Sequence, residues 1–216
     1  MKTNERINEY LKKEGYSEEE ISALDSASVY VAHKIAVYAH RNQKRLNGDN
    51  YIIHPYNVMQ LYRNMVGIIE GNYFCMNKDL LEDCGIPYDG VQETCLLHDV
   101  LEDTDVTIEE IEEVFEDLSL GTYFNLYIKT PLLLITHDKK EDYSTYISKL
   151  VVNPTAAIVK FMDMADNMNP TSLTCLGNFE KERILKYVIF NQFINDVWHF
   201  LEKADDYRKK FSSKRY

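Results

Sequence analysis

The sequence predicts an all-α protein that folds as one helical bundle. Apolar residues recur at intervals of three and four along most of the 216-residue chain, which is the spacing of one face of a helix. Proline stands where several of these segments begin, a position that helices favour. No segment shows the alternation of a convincing strand. With 45% hydrophobic residues, the chain can bury one core, and residues 1–216 are most simply a single domain.

The first half of the chain contains helical segments separated by two irregular ones. The irregular segments are rich in glycine and polar residues, which are typical of loops. The predicted order is a short charged helix over 4–13, a helix capped by Asp25 or Ser26 that runs toward Arg41, a polar loop over 42–53, a helix that begins at Pro55 and includes Ile68, and an inserted loop over 71–90 with about one helical turn.

The second half contains helical segments almost throughout. Thr107 and Glu110 have the spacing of a capping box, in which each side chain satisfies a backbone N–H group of the other residue. The predicted helices are the run around 95–104, a short helix from Thr107 to about Asp117, helices over 123–136, 143–151 and 154–167, and a C-terminal helix over 178–211.

The segment CLLHDVLEDT, residues 95–104, carries the strongest functional signal. It places His98-Asp99 and Glu102-Asp103 one helical turn apart inside an apolar run, so all four side chains can project toward one side. Burying such groups against Leu and Val is costly unless a cation compensates them, and a divalent metal ion is the simplest one. The alternative is a helix end whose acidic residues are solvated.

Two other segments supply further metal-binding groups. His54 follows Tyr-Ile-Ile and precedes a proline, and Asp163 interrupts an apolar stretch with Asn167 one turn later. Together with the His98-Asp99 pair, these residues form a mixed nitrogen and carboxylate set. Such a set suits a first-row divalent ion such as manganese, iron or zinc, and suits calcium poorly.

The three segments in this order resemble those of a known family. AHRNQKRLNGDNYIIHP is similar to AHxGQxRKSGxPYIxHP, LLHDVLEDTDVTIEEI to LLHDVxEDTxVTxEDL, and IVKFMDMADNM to LIKLADRLHNM. These are motifs of the HD-domain metal-dependent phosphohydrolases, and within them of the hydrolase domain of RelA/SpoT-type guanosine tetraphosphate (ppGpp) enzymes and their small stand-alone relatives. The resemblance runs over residues 31–173, and it implies a single HD-domain helical bundle.

The resemblance also implies a reaction and a role for each matching residue. The reaction is removal of pyrophosphate from the 3′ position of ppGpp by metal-activated water, which returns GDP. The matching positions are His54, His98, Asp99 and Asp163 as ligands of one divalent ion, most simply manganese; Glu102 and Asp103 as the acidic pair that handles the attacking water; and Arg45 and Asn167 as nucleotide contacts, with Lys44 and Lys160 as nearby cations.

Some positions depart from the family motifs. Leu46 stands where the family usually has a lysine, Met164 where it has an arginine, Asp166 where it has a histidine, and Asn50 where it has a proline. These changes affect the substrate side more than the metal. They leave open an HD phosphatase for another nucleotide, such as a deoxynucleoside monophosphate or NADPH.

A second alternative is an HD module that senses a nucleotide or binds a protein without turnover. The intact Glu102-Asp103 pair argues against it, because a binding module does not need a water activator beside four ligands. A hydrolase without a synthetase domain is the expectation, since no segment is long enough to hold one. The oligomeric state is left open.

The net charge limits the kinds of partner that the chain is expected to bind, and the cysteine spacing limits the kinds of thiol site. The chain has 35 acidic and 24 basic residues, a formal charge of −11, which argues against nucleic acid or an anionic membrane as the main partner and leaves a small-molecule nucleotide. The four cysteines have no CxxC spacing. No apolar signal core or membrane-spanning run is present, so a cytoplasmic protein with free thiols is expected.

The remaining histidines are interpreted as structural. Charged residues follow His137-Asp138, so a solvated helix end is favoured over a second metal pair. His33 and His40 lie seven residues apart on one predicted helix face, where packing or support of the site is favoured over ligation. His199 is interpreted as a core or surface residue.

Overall fold

The computed structural model describes residues 2–16, 26–70, 73–169 and 177–213, which are helical apart from one short hairpin and the connecting loops. The all-α prediction is therefore confirmed. In chain order the elements are α1 (Thr3–Lys13), α2 (Ala27–Ala39), α3 (Ile53–Val66), β1 (Ile68–Glu70), β2 (Tyr73–Cys75), α4 (Lys78–Asp83), α5 (Val91–Leu97), α6 (Val100–Asp103), α7 (Ile108–Asp117), α8 (Gly121–Tyr123), a π-helical turn (Phe124–Ile128), α9 (Lys129–Ile135), α10 (Tyr143–Leu150), α11 (Pro154–Asn167), α12 (Asn178–Trp198) and α13 (Phe200–Ser213).

The centre of the bundle is formed by helices α2, α3, α5, α11 and α12. Helix α5 packs against α2, α3 and α11, and α11 also packs against α3 and α12. All residues of α5 are buried, as expected of a helix enclosed by others. The first turns of α11 bury Ala156 and Ala157, whose small side chains allow neighbouring helices to approach closely. Helices α3, α5 and α11 therefore pack against one another inside the protein.

Side-chain caps begin several of these helices where the sequence predicts them. The Ser26 hydroxyl accepts a hydrogen bond from a backbone N–H in the first turn of α2, whereas Asp25 lies outside the described residues. Thr107 and Glu110 form the reciprocal capping box of α7. Asn153 caps α11, which begins at Pro154 as predicted. Each cap satisfies an N–H group that lacks a partner within its helix.

The prediction for residues 71–90 was wrong in part. Strands β1 and β2 pair antiparallel, with Ile68 opposite Cys75, and α4 follows them. Leu80, Leu81 and Ile86 are buried in the core, so the segment is a packed part of the fold. Periodicity could not show this, because a short apolar run is compatible with either a strand or a helix.

The predicted C-terminal helix over 178–211 is two helices. His199 has a left-handed backbone (φ 54°) between α12 and α13. Trp198 and Phe200 would point to nearly opposite sides of a continuous helix, but the break lets their rings stack with centroids 6.0 Å apart. The Trp198 indole N–H also donates to the carbonyl of Val151 at 2.7 Å.

Two other helix boundaries differ from the prediction. Helix α3 begins at Ile53, so Pro55 is its third residue rather than its first. The predicted helix over 123–136 contains the π-helical turn. Periodicity locates a helix but not the residue at which its hydrogen bonding starts or changes.

Two further expectations concern membrane-spanning segments and the cysteine thiols. Among them, no helix combines the length and apolar character that crossing a bilayer requires. Cys84 and Cys95 are free thiols. Cys175 lies outside the described ranges.

Replacing Gly90 with alanine is expected to destabilise the protein more than the same change at Gly48. Both glycines have a left-handed backbone, with φ +74° and +92°, which costs an alanine about 1–2 kcal/mol. A Cβ atom at Gly90 would lie 2.3 Å from the Tyr127 carbonyl oxygen, whereas one at Gly48 would meet nothing within 4 Å. Overpacking at Gly90 adds about 1–3 kcal/mol. Urea unfolding of both variants measures the difference, and equal losses would contradict it.

Candidate metal centre

Four residues from three segments converge in a His–Asp cluster, defined here as His54, His98, Asp99 and Asp163. The Nε2 atom of His54 lies 3.1 Å from Asp163 Oδ1 and 3.5 Å from Asp99 Oδ2. The Nε2 atom of His98 lies 3.1 Å from Asp99 Oδ2 and 3.6 Å from Asp163 Oδ1. Both histidines and Asp163 are buried, and Asp99 is partly exposed. The structure thus brings together the four residues that the family resemblance implies as ligands.

The hydrogen bonds behind the two imidazoles define their tautomers. The Nδ1 atom of His98 lies 2.8 Å from the Cys95 carbonyl oxygen, and that of His54 lies 2.7 Å from Asp166 Oδ2. Because each partner is an acceptor, each Nδ1 atom carries a proton, and each Nε2 atom of a neutral ring presents a lone pair to the cluster. Histidine ligands of metal ions are typically oriented in this way.

The cluster presents a set of possible metal ligands. When the rings are neutral, two imidazole lone pairs face two carboxylates, and His98 Nε2 has no hydrogen-bond partner in the described part of the chain. His54, His98 and Asp163 each offer an atom within 4.8 Å of the others, so they can hold a metal ion. Two nitrogens with carboxylate oxygens fit a first-row divalent cation.

The pKa values of the cluster residues show that the cluster favours a positive charge. Burial lowers the pKa of His98, but the charges of Asp99 and Asp163 outweigh it and raise that pKa to about 10. Burial raises the pKa of Asp163, but Lys160 and the two imidazoles hold it well below its usual range. The cluster thus favours a positive charge at the imidazoles, which either protons or a metal ion can supply.

The helix carrying His98 is interrupted at the cluster. The sequence predicts one continuous helix, but α5 ends at Leu97 and α6 begins at Val100. Adjacent residues of a regular helix point about 100° apart. The interruption lets both His98 and Asp99 face the same centre, while the Asp103 N–H still donates to the Asp99 carbonyl at 2.9 Å.

Two predicted nucleotide contacts bind a carboxylate of the cluster. Lys160 Nζ donates to Asp163 Oδ2 at 2.8 Å, and Asn167 Nδ2 donates to Asp163 Oδ1 at 2.6 Å. These residues lie three positions before and four positions after Asp163, so all three share one face of α11. Their immediate effect is to orient Asp163 and compensate its charge.

A supporting contact to Asp99 was not predicted from the sequence. The Tyr51 hydroxyl donates to Asp99 Oδ2 at 2.7 Å. The ring of His40 lies against Tyr51, with centroids 4.8 Å apart, and its Nδ1 atom lies 2.6 Å from Gln43 Oε1. His40 is thus outside the cluster but next to its support, in line with the predicted structural role.

The polar loop before α3 carries the basic residues Lys44 and Arg45, and only Arg45 contacts a residue next to the cluster. Arg45 donates to Asp166 Oδ2 at 2.8 Å, and its side chain is 10% exposed. Lys44 instead donates to Asn50 at 2.5 Å on the surface. Asp166, noted in the sequence only as a departure from the family motif, is therefore a partner of both Arg45 and His54. Its spacing of three residues from Asp163 was the signal that could have revealed this.

Glu102 and Asp103 line a cavity of about 630 Å³. Arg6, Arg41 and Lys139 are among its other lining residues, whereas the four cluster residues do not line it. Burial raises the pKa of the Glu102 and Asp103 carboxyls. A raised pKa brings a carboxyl closer to the range in which it exchanges protons near neutral pH.

His137 orients Glu102 through its backbone N–H group. Its backbone N–H lies 3.2 Å from Glu102 Oε2, and its Nε2 atom lies 3.0 Å from the Glu141 carbonyl oxygen. Its ring packs against Tyr143 and Tyr146. The expectation of a solvated helix end therefore missed this contact with the acidic pair.

Known proteins resemble this chain both in sequence and in structure. No family model matches the chain. It is 29% identical over 184 residues to the guanosine-3′,5′-bis(diphosphate) 3′-pyrophosphohydrolase of Aquifex aeolicus, which covers 83% of this chain and 23% of that protein. The chain thus spans about a quarter of that relative's length.

A smaller relative and a solved structure match along most of their length. The chain is 24% identical over 170 residues to the mouse guanosine-3′,5′-bis(diphosphate) 3′-pyrophosphohydrolase MESH1, which covers 76% of this chain and 80% of that protein. A structure described as a metazoan ortholog of SpoT that hydrolyzes ppGpp superposes with a TM-score of 0.54 and 22% identity, over 87% of this chain and 97% of that one. The chain therefore has an all-α HD-domain fold and is related in sequence to ppGpp 3′-pyrophosphohydrolases.

Proposed function

We propose that the chain is a metal-dependent nucleotide hydrolase that removes pyrophosphate from the 3′ position of ppGpp. The observation that carries the proposal is the arrangement of the His–Asp cluster, in which the Nε2 atoms of two histidines lie 3.1–3.6 Å from the carboxylate oxygens of two aspartates. The similarity to relatives that are named for this reaction supports the choice of substrate.

His54, His98, Asp99 and Asp163 would hold one divalent ion, and manganese suits their mixed donor set. When bound, the ion supplies Lewis acidity that lowers the pKa of a water molecule and polarises a phosphoryl oxygen. Because the ring N–H groups of both histidines are already engaged, the imidazoles need not reorient to act as ligands. We also propose a cytoplasmic location, where ppGpp is available.

Glu102 and Asp103 would handle the protons of the hydrolysis. Glu102, held by the His137 N–H, accepts a proton from the attacking water, and Asp103 helps to orient that water. The bond between the 3′ oxygen and its phosphorus breaks, and the 3′ oxygen of GDP receives a proton as pyrophosphate leaves. The raised pKa of Glu102 suits both accepting and returning a proton.

The cavity beside the acidic pair offers space for a polar ligand. Its volume of about 630 Å³ is within the range of small-molecule sites. We propose that Arg45 contacts the nucleotide with the donors that its pair with Asp166 leaves available, since a guanidinium has five N–H groups. Asn167 and Lys160 would contact the phosphates beside Asp163, and Lys44 contributes positive charge from the loop.

The nearest competing function is hydrolysis of another nucleotide by the same cluster. Leu46 favours this alternative, because it is 67% exposed and offers only apolar contact where the family has a cation. The decisive measurement is turnover by manganese-loaded protein with ppGpp, deoxynucleoside monophosphates and NADPH. Faster turnover of ppGpp supports the proposal, and a marked preference for another substrate leaves only the broader hydrolase function.

The protein is expected to bind one manganese ion per chain. The described residues hold one group of histidines and carboxylates close enough to bind a metal. Elemental analysis of protein purified without chelators measures the ratio. Two tightly bound ions per chain would contradict the single-site proposal.

A further inference from the structure

Asp166 joins three parts of the molecule behind the His–Asp cluster. It lies on α11 and is 4% exposed. Its Oδ2 atom accepts hydrogen bonds from His54 Nδ1 at 2.7 Å and from Arg45 at 2.8 Å. Its Oδ1 atom accepts one from Asn57 at 3.2 Å. The polar loop before α3, helix α3 and helix α11 therefore meet at one carboxylate, which three donors hold in place.

We propose that Asp166 is a positioning residue of the metal centre, which keeps the proton of His54 on Nδ1 so that Nε2 faces the cluster. The inference rests on the proposed function in one respect, namely that the cluster holds a divalent ion. The family motif has a histidine at this position, so the resemblance assigns Asp166 no such role.

The physical reason lies in the two tautomers of a neutral imidazole. A ring with its proton on Nε2 has no lone pair for a cation at the cluster, and a fixed acceptor at Nδ1 disfavours that tautomer. The buried carboxylate in turn needs compensation, which the guanidinium of Arg45 supplies. Loss of an acceptor behind a histidine ligand typically lowers metal affinity about 10–100-fold.

Manganese affinity of the metal-free protein, measured by calorimetry without nucleotide, tests the proposal. Asp166→Ala is expected to raise the Kd about 10–100-fold. Asp166→Asn retains an oxygen for His54 but no charge for Arg45, so its Kd should lie between those of wild type and Asp166→Ala. Asp205→Asn, an exposed carboxylate on α13, is the matched control and should leave the Kd unchanged.

A spectroscopic measurement separates positioning from a general structural effect. In the zinc-loaded wild-type protein, the Nδ1 proton of His54 should give a downfield NMR signal that exchanges slowly because it is hydrogen-bonded. Asp166→Ala should lose this signal, whereas Asp166→Asn should retain it. Partial rescue by an isosteric acceptor is the signature of positioning.

Unchanged manganese affinity in both Asp166 variants, or an unchanged His54 signal in Asp166→Ala, would overturn the inference. If Asp166→Ala does not fold by circular dichroism, Asp166→Asn decides: a Kd at least about threefold higher supports the role, and a wild-type Kd overturns it. A wild-type protein that binds no metal refutes the metal centre and this role with it. Metal binding without nucleotide turnover refutes only the proposed reaction.

Discussion

Replacement of His98 by alanine is expected to abolish stoichiometric manganese binding and to lower ppGpp hydrolysis by at least about 10³-fold, or about 4 kcal/mol in the barrier. His98 offers a buried Nε2 atom that faces both Asp99 and Asp163. Without this nitrogen, the site keeps only three of its four proposed ligands and holds the metal ion weakly. The activation of water that the ion supplies is then lost. Elemental analysis and steady-state kinetics on the same preparation measure both effects.

The control for this variant is His199→Asn. His199 is exposed, lies outside the cluster and has a left-handed backbone that asparagine tolerates. It should retain one manganese ion and wild-type turnover. A His98→Ala protein that is folded by circular dichroism and still binds manganese with wild-type affinity would show that His98 is not a ligand.

Glu102→Gln is expected to retain the metal and the fold but to lower turnover by about 10²-fold or more, as the loss of a general acid or base typically does. Glutamine preserves the shape of the side chain and can still accept the hydrogen bond from the His137 N–H. It cannot accept a proton from water near neutral pH. The effect should therefore appear in kcat at full metal occupancy.

Glu109→Gln is the matched control, because it makes the same change at an exposed position on α7. Its turnover should equal that of wild type. Normal turnover by Glu102→Gln at full metal occupancy would instead make Glu102 a structural acid, and Asp103 would then become the candidate base.

Features that depend on near neighbours in the chain could be predicted from the sequence. Apolar spacing predicted the all-α class, and the residues at the starts of α2 and α7 predicted caps at Ser26 and Thr107. The His98-Asp99 pair, with His54 and Asp163 in flanking motifs, predicted a cluster that the structure does assemble. The caps were predicted from residues within one helical turn, whereas the cluster was predicted from three separate motifs and the family resemblance; the catalytic and ligand roles stay predictions.

The boundaries of the elements were less predictable. The break at His98-Asp99 allows neighbouring side chains to face one centre, and the break at His199 allows Trp198 and Phe200 to stack. Both depend on where a side chain must reach in the folded protein. Helical periodicity continues through both positions, so it contains no sign of either break.

Tertiary structure decided which residues distant in the chain donate hydrogen bonds to Asp166 and Asp99. Asp166 and His54 are 112 residues apart in the chain, and Tyr51 and Asp99 are 48 apart. The fold also pairs the guanidinium of Arg45 with Asp166, a contact that the sequence motifs did not indicate. A buried carboxylate requires hydrogen-bond donors. The sequence determined which residues could donate, whereas the packing of α3, α5 and α11 decided which of them came within reach.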